Sequence, residues 1–385
     1  MTSDDPRLRI GLVSANYAPS VGGIERFVET LAEALAEAGH SVRVLCCRFG
    51  SSPPQETRNG VSITRISASH LPKRLLGVPY PVPSPMRLRS ATLAIARSSD
   101  VVHVQDLLYA TTLPALAAAR NEPRAVGTVL TQHVGFVPQR NRLLNAAQAA
   151  AFRTIGRAAT RRCDIVATNS LQASEFVQSA LGVRPIIMPA GTSIVANSAD
   201  GPALRAALGI DPAAKIALFA GRDVPKKNLN AFLGAVSPGR YTLVAVTDRP
   251  AERREGLVIL PFMPPPEFSR LLAIADAFVL PSDAEGVPIV LQEALLSGIP
   301  TLVRHNPGYE RFFSSTEVIC IDPTAESIRE NLARLMSDDR LRARLSNTAK
   351  QAGQRSFGLD PVVQAYEGLY RQSVHLAHAR VRQSR

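Results

Sequence analysis

The fold is decided by the stretch LRIGLVSANYAPSVGGIERFVETLAEALAEAGHSVRVLCC, residues 8–47. It opens with a short apolar run that ends in turn residues, which is typical of a buried strand. A helix pattern follows and ends at Gly39. The apolar residues at helical spacing are Ile24, Phe27, Val28, Leu31 and Leu35. A second β-rich run, SVRVLCCR (41–48), completes a β-α-β unit, from which parallel sheets are built.

The same alternation continues along the 385-residue chain and then starts again. Four more apolar runs predict buried strands separated by helices, at 100–105, 125–133, 164–170 and 185–191. A polar stretch rich in small residues, 193–209, is typical of a linker, and a new series begins at KIALFAGR (215–222). We therefore expect an α/β protein with two doubly wound domains. The predicted limits are 1–195 and 196–360, with a C-terminal helix over 361–385 that packs back towards the first domain.

Composition and charge exclude several classes of protein. Hydrophobic residues make up 45% of the chain and charged residues 20%, which is the balance of a globular protein. No apolar run approaches the roughly 20 residues of a membrane-spanning helix, and the acidic start does not resemble a signal peptide. The four cysteines show no C-x-x-C spacing, so we expect a reducing, cytoplasmic setting. The net charge of +12 leaves a membrane surface, nucleic acid or a phosphorylated substrate open as partners.

The histidines and cysteines do not predict a metal site. His375 and His378 stand three residues apart on a predicted helix, but no third ligand accompanies them. The seven histidines include neither an H-x3-H nor an H-E-x-x-H pair. We therefore expect no metal and no other cofactor.

The segment FVLPSDAEGVPIVLQEALLSGIPTLV, residues 278–303, carries the strongest local signal. A strand ends at Pro281, and a helix begins near Pro288, so Glu285 lies in the loop and Glu293 in the helix. Backbone N–H groups at the start of a helix attract anions such as a diphosphate. Two glutamates eight residues apart could also be a capping acid and a surface residue. The flanking Pro-Ser, Gly286 and E-A-x-x-x-G-x-P make the combination specific.

This segment resembles the E-x7-E signature of retaining glycosyltransferases with the GT-B fold, in family 4 (glycosyl transferases group 1). Residues 9–45 resemble the opening strand, Gly-Gly turn and first helix of that family. FAGRDVPKKNL (219–229) resembles its G-R-x-x-x-x-K segment. The resemblance implies two Rossmann-like domains around an interdomain cleft, the first binding the acceptor and the second a nucleotide-sugar.

In that family the arginine and lysine bind the donor diphosphate, and they correspond here to Arg222 and Lys227. This agrees with the chemistry, because without a metal fixed cations must stabilise the charge of the leaving diphosphate. Solvated loop charges are the alternative. By the same resemblance Glu293 holds the ribose hydroxyls, and Glu285 contacts the sugar near its 3- or 4-hydroxyl.

The resemblance also implies donor contacts through backbone groups and apolar side chains. The helix start would line the sugar and phosphate sites through Gly286, Val287, Pro288, Ile289 and Val290. Met263 would lie near the nucleobase, although Pro261 stands where the family has glycine. Gly22 and Gly23 would let the backbone approach a phosphate or acceptor closely, or would form an ordinary turn.

His133 follows a predicted strand and corresponds to a family histidine that approaches the transferred sugar and the acceptor. A structural histidine is the alternative. We expect His103 to be a core residue, and Asp106 could meet the acceptor. The usual P-N-G-x-D before the linker is replaced by PAGTS (189–193), which weakens any prediction of contacts there.

The N-terminal half concentrates positive charge around residues 139–162. This stretch mixes arginines with apolar residues, so it is either a membrane-facing acceptor surface or a solvated helix face. Its arginines are Arg140, Arg142, Arg153, Arg157, Arg161 and Arg162, to which Lys73, Arg74, Arg87 and Arg89 add. Nucleic acid is a weaker alternative, since no recognition motif appears.

Together with these residues, the resemblance implies a metal-independent, retaining hexosyltransferase that uses a UDP- or GDP-linked sugar. Its acceptor would be a hydroxyl of a lipid-linked or other envelope glycan precursor, at the cytoplasmic face of the membrane. The catalytic candidates are Glu285, His133, Arg222 and Lys227. A non-catalytic protein that binds sugar-nucleotides or membranes is the alternative. An epimerase or phosphorylase of similar fold is disfavoured. A phosphorylase needs a lysine-bound pyridoxal cofactor, and Lys350, the only lysine after Lys227, lies in a surface-like helical stretch.

Overall fold

The computed structural model describes residues 6–20, 22–69, 81–136, 142–197, 200–283 and 286–383. The chain divides into two compact units. The first unit contains Met1–Ala190 together with Val362–Arg385, and the second contains Gly191–Pro361. Each has its own largely parallel sheet with helices, so the predicted fold class of two Rossmann-like α/β domains is confirmed.

The first unit is built on an eight-stranded sheet with the order β10-β9-β8-β7-β1-β2-β4-β3. Its neighbours are parallel except for β3 and β4, and the short β5 and β6 form a separate antiparallel pair. The strands are β1 (Arg9–Val13), β2 (Ser41–Cys47), β3 (Gln55–Arg58), β4 (Val61–Ile66), β5 (Ala68–Ser69), β6 (Val82–Pro83), β7 (Val101–Gln105), β8 (Gly127–Gln132), β9 (Ile165–Thr168) and β10 (Ile186–Ile187).

The helices of this unit connect its parallel strands. They are α1 (Gly23–Glu37), α2 (Pro85–Ser98), α3 (Thr112–Arg120), α4 (Arg142–Ala151), a π-helical turn (Phe152–Gly156), α5 (Arg157–Thr160) and α6 (Leu171–Leu181). The stripe predicted on α1 is buried at Phe27, Val28, Leu31 and Leu35, and half-buried at Ile24. The strands β7 and β8 are buried at every residue, as expected of parallel strands covered on both faces.

The second unit repeats this plan with a seven-stranded sheet in the order β13-β14-β12-β11-β15-β16-β17. Among the described strands of this unit, only β13 is antiparallel to its neighbour, β14. The strands are β11 (Ile216–Ala220), β12 (Thr242–Val246), β13 (Glu252–Arg254), β14 (Leu257–Leu260), β15 (Ala277–Leu280), β16 (Thr301–Arg304) and β17 (Ile319–Ile321). The helices are α7 (Gly201–Leu208), α8 (Leu229–Leu233), α9 (Pro265–Ile274), α10 (Ile289–Leu296), α11 (Ala325–Ser337) and α12 (Asp339–Phe357), with 3-10 turns at Pro225–Lys227 and Pro307–Tyr309.

Most of helix α10, which carries Glu293, is buried. All residues from Leu291 to Leu296 are buried. Its C-terminal turn packs on α12 at Gly353, where an added Cβ would lie 2.5 Å from the Leu296 nitrogen and 2.6 Å from the Leu295 carbonyl carbon. Only glycine permits this backbone approach, so α12 fixes the far end of α10.

The last helix, α13 (Leu359–Gln383), joins the first unit from Val362 onward. Tyr366 and Tyr370 are fully buried, and the Tyr370 hydroxyl lies 2.9 Å from His103 Nδ1. Helix and sheet approach so closely that a Cβ at Gly127 would lie 2.8 Å from the Val374 nitrogen. The helix is therefore part of the core of this unit. None of the helices within the described ranges is long and apolar enough to cross a membrane.

Candidate functional site

The second unit brings two of the predicted motifs to adjacent strand ends. Strand β11 lies between β12 and β15, so the order of connections reverses at β11. Ligands of open parallel sheets bind beyond the carboxyl ends of the strands at such a switch point. Arg222 follows the end of β11, and Pro281 follows the end of β15.

Hydrogen bonds join these two segments directly. The Asn228 side-chain amide donates to the Pro281 carbonyl at 2.9 Å. The Asp283 backbone N–H donates to the Lys226 carbonyl at 2.7 Å. Asn228 has a left-handed backbone (φ 50°) where the 3-10 turn passes into α8, a conformation that asparagine tolerates well. The segment with Arg222 and Lys227 is thus fastened to the loop that precedes Glu285.

The two cations differ in exposure. Arg222 is exposed, whereas Lys227 is half-buried, and its Cδ and Cε lie 3.5 Å from the position of a Cβ on Gly221. Its side chain therefore lies across the residue that follows β11. The backbone hydrogen bond from Asp223 lowers the pKa of Asp248, and the charge of Arg222 adds to this effect. Arg222 and Lys227 thus place positive charge at this edge of the sheet, beside the carboxylate of Asp248.

Glu293 is completely buried on α10. The Thr192 hydroxyl lies 3.4 Å from its Oε1, and the Thr192 N–H donates to the Phe357 carbonyl at 3.4 Å. Thr192, at the variable position of the P-N-G-x-D pattern, thus lies beside the predicted ribose ligand. Glu285 lies outside the described residues.

The start of α10 also lies at this edge. Pro288 is the residue before the helix, and Gly286, Ile289 and Val290 are half-buried, while Val287 is buried. The Gln292 side-chain amide donates to the Val287 carbonyl at 2.8 Å, which fixes the turn into the helix. The first N–H groups of a helix lack intrahelical acceptors, so they are available to an anion.

Met263 follows β14 in the loop before α9. It is half-buried beside Phe262, which is 54% exposed, and Pro261. Because β14 is parallel to β12, Met263 lies at the same carboxyl edge of the sheet, on the β12 side of β11. Such a position suits a flat, partly apolar ligand such as a nucleobase.

In the first unit, the predicted glycines and His133 lie at the carboxyl edge of the other sheet. Gly22 precedes α1, and Gly23 is its first residue. A Cβ added to Gly23 would meet no atom within 4 Å, so the side of this turn is open. The rings of His133 and Phe27, one turn into α1, are 5.0 Å apart. The structure thus places His133 near the first turn of α1.

His133 is held by two amide side chains. Its Nε2 lies 2.8 Å from Gln105 Oε1, and its Nδ1 lies 3.2 Å from Asn169 Nδ2. With the amides oriented in this way, Nε2 carries the proton and Nδ1 accepts. Burial lowers the pKa of His133 to about 3. The geometry suits a neutral hydrogen-bonding ring better than a group that transfers protons.

The sequence interpretation missed Gln105 and Asn169 as partners of His133. Gln105 is the last residue of β7, and Asn169 is the first after β9. A polar residue at the end of an apolar strand is the signal that could have found both. His103 is buried in mid-strand, and burial raises the pKa of Asp106 to about 6.

The basic region around residues 139–162 contains both exposed and buried parts. Helix α4 has no buried residue, and Leu143 is 79% exposed, whereas Phe152 packs into the core against Phe176. The described arginines of this region are exposed: Arg142, Arg153, Arg157, Arg161 and Arg162. Lys73, Arg74 and Arg140 lie outside the described residues. Across the described ranges, no cluster of three or more His, Cys, Asp or Glu could hold a metal ion.

Two family models match the chain. The model of Glycosyltransferase Family 4 matches residues 21–192, and that of Glycosyl transferases group 1 matches residues 250–352. Together they span most of both units.

Individual relatives are similar over most of their length. TuaC of Bacillus subtilis (strain 168), a glycosyltransferase assigned to teichuronic acid biosynthesis, is 26% identical over 80% of this chain and 84% of its own. A GDP-mannose-dependent alpha-mannosyltransferase of Mycobacterium tuberculosis (strain CDC 1551 / Oshkosh) is 27% identical over 77% of this chain and 78% of its own. Among solved structures, Anabaena HepE in complex with UDP superposes with a TM-score of 0.70 and 16% identity, covering 94% of this chain and 99% of that one.

Proposed function

Because the chain belongs to the family 4, group 1 glycosyltransferases with the GT-B fold, we propose that it is a retaining, metal-independent hexosyltransferase. Its donor would be a UDP- or GDP-linked sugar. The observation that carries this proposal is the junction at the ends of β11 and β15. There the Asn228–Pro281 and Asp283–Lys226 hydrogen bonds join the cationic segment to the loop of the E-x7-E motif.

The relatives support a nucleotide-sugar donor and leave two bases open. HepE binds UDP, and the mycobacterial relative is named for its dependence on GDP-mannose. TuaC is named for teichuronic acid biosynthesis. We therefore infer an acceptor hydroxyl on an envelope glycan precursor, which could be linked to a lipid.

The proposed reaction exchanges one bond to the anomeric carbon for another. The bond from this carbon to the phosphate oxygen breaks, and the acceptor oxygen bonds to the same face through an oxocarbenium-like transition state. The acceptor proton passes to the leaving phosphate oxygen. Arg222, Lys227 and the first N–H groups of α10 stabilise the charge that grows on the diphosphate. Glu293 holds the ribose, Glu285 the sugar, and His133 contributes a neutral ring.

The exposed arginines around α4 suggest where a lipid-linked acceptor would lie. Arg142, Arg153 and Arg157 are exposed, as are Leu143 and Ile155. Basic side chains interleaved with exposed apolar ones bind the surface of anionic membranes. We infer that the enzyme works at the cytoplasmic face of such a membrane, held there through its first unit.

An activity assay tests this proposal. Purified protein is incubated in EDTA with UDP-, GDP- and ADP-sugars, with sugar acceptors, and with anionic or zwitterionic vesicles. We expect release of one nucleoside diphosphate, UDP or GDP. The product should have the same anomeric configuration as the donor, and the rate should be higher with anionic than with zwitterionic vesicles. Inverted configuration, or a strict requirement for a divalent ion, would rule out the mechanism. The absence of both turnover and nucleotide binding would rule out the function.

A further inference from the structure

Asp283 links three neighbouring strand ends of the second unit. It follows β15, and its backbone N–H donates to the Lys226 carbonyl in the turn after β11, at 2.7 Å. Its carboxylate forms an ion pair with Arg304, the last residue of β16. Because β11, β15 and β16 are consecutive in the sheet, Asp283 is held from both sides.

The bond to Lys226 acts on the proposed donor site. The Lys226 carbonyl is part of the peptide bond between Lys226 and Lys227. A shift of Asp283 would therefore move the backbone that carries the Lys227 side chain. The Asn228–Pro281 bond is a second link between the same two segments. A cation stabilises a developing charge only when it is correctly placed, and an error of about 1 Å can cost roughly 100-fold in rate.

The ion pair has little value as a stabilising contact. The side chains of Arg304 and Asp283 are 42% and 40% exposed. Pairs exposed to this degree contribute little to folding, because water screens both charges.

We propose that Asp283 and Arg304 are positioning residues for the donor diphosphate. Arg304 holds the Asp283 carboxylate, and Asp283 holds the peptide group before Lys227. The pair thereby sets the place from which the Lys227 ammonium meets the leaving group. This inference rests on the proposed transferase function and adds two residues to its site.

The test compares single variants with conservative and charge-reversed ones. We expect Asp283→Asn and Arg304→Gln each to lower kcat about tenfold, because misplacement matters most when charge develops in the transition state. The Kd of the intact nucleotide-sugar, whose diphosphate has not yet taken up the charge of the breaking bond, should change by less than about threefold. The melting temperature should stay within about 3 °C, since the pair is exposed. Arg304→Lys and the double variant Asp283→Arg/Arg304→Asp should each regain at least about half of the wild-type kcat.

Glu317→Gln is the matched control. Glu317 pairs with Arg355 at 3.1 Å in the same unit, and neither residue belongs to the site. This variant should keep the wild-type kcat. The inference is overturned if both single variants keep wild-type kcat, if neither rescue variant recovers, or if Glu317→Gln loses as much. An active wild type whose Asp283→Asn and Arg304→Gln variants are both unaffected refutes this inference alone, whereas a wild type without turnover or nucleotide binding refutes the proposed function as well.

Discussion

His133 lies in a setting that keeps its ring neutral. The ring is 7% exposed, and Gln105 and Asn169 occupy its two nitrogens. Burial lowers the pKa from its ordinary value of 6.5 to about 3. A charge on this ring would therefore destabilise the folded first unit, and the residue is suited to hydrogen bonding at a fixed orientation.

This arrangement predicts how acid affects stability. Between pH 6.5 and about 3, the unfolded chain binds a proton at His133 that the folded chain does not, so this residue lowers stability as the pH falls through that window. From pH 7 to pH 5 we expect the wild type to lose about 2 kcal/mol more free energy of unfolding than a His133→Gln variant. Urea unfolding at the two pH values measures this difference.

Comparison with the variant isolates His133 from its neighbours. Asp106 acts in the opposite direction, because its folded pKa of about 6 lies above its ordinary value of 3.8. Its contribution is present in both proteins and cancels. Equal losses in the wild type and in His133→Gln would show that His133 is protonated in the folded state.

At the scale of elements, α10 depends on its contact with α12. The helix carries Glu293, and Gly353 of α12 lies against the backbone of its last turn. The 2.5 Å separation between a Cβ at this position and the Leu296 nitrogen cannot be relieved by a side-chain rotation. A larger residue must therefore move one helix.

We expect Gly353→Ala to lower the free energy of unfolding by about 1–3 kcal/mol and to reduce nucleotide binding. The control is Gly368→Ala in α13, where an added Cβ would meet no atom within 4 Å. There alanine should raise the stability by roughly 0.5–1 kcal/mol, because it favours the helix. Thermal unfolding of both variants measures the two effects. A Gly353→Ala protein as stable as Gly368→Ala would contradict this description of the contact.

The sequence predicted the buried elements well and the polar edges poorly. The apolar runs that predicted β7, β8 and β11 correspond to strands buried along their length. The edge strands β3 (QETR) and β13 (ERR) have no apolar residue, so no hydrophobic periodicity marks them. The run at 185–191 yields only the two-residue β10.

The candidate site divides in the same way. Arg222 and Lys227 were predicted from a local motif, and the structure joins their segment to the loop before Glu285. The partnership of Asp283 with Arg304 depends on β15 and β16 being neighbours in the sheet, which the order of residues does not reveal. Contacts between residues on neighbouring strands can be identified only when the order of strands in the sheet is known.

At the scale of the whole molecule, the first unit is built from two separate segments of the chain, whereas the second is built from one. The first unit is completed by α13, whose Tyr370 reaches His103 in the core of the unit. The chain therefore leaves the second unit at Pro361 and ends in the first. The positive residues behind the net charge of +12 also include two groups with different proposed roles, one in each unit. Arg222 and Lys227 belong to the proposed diphosphate site, and the exposed arginines around α4 belong to the proposed acceptor surface.

The most direct test of the central claim is calorimetric titration of the whole protein with UDP and with GDP in the presence of EDTA. We expect one of the two to bind the wild type, and to bind a Lys227→Ala variant about 10 to 100 times more weakly, because a charge-assisted hydrogen bond contributes about 1.5–3 kcal/mol. The neighbouring Lys226→Ala variant should stay within about threefold of the wild type. Failure of both nucleotides to bind, or equal affinity in the wild type and Lys227→Ala, would contradict a donor site at the ends of β11 and β15.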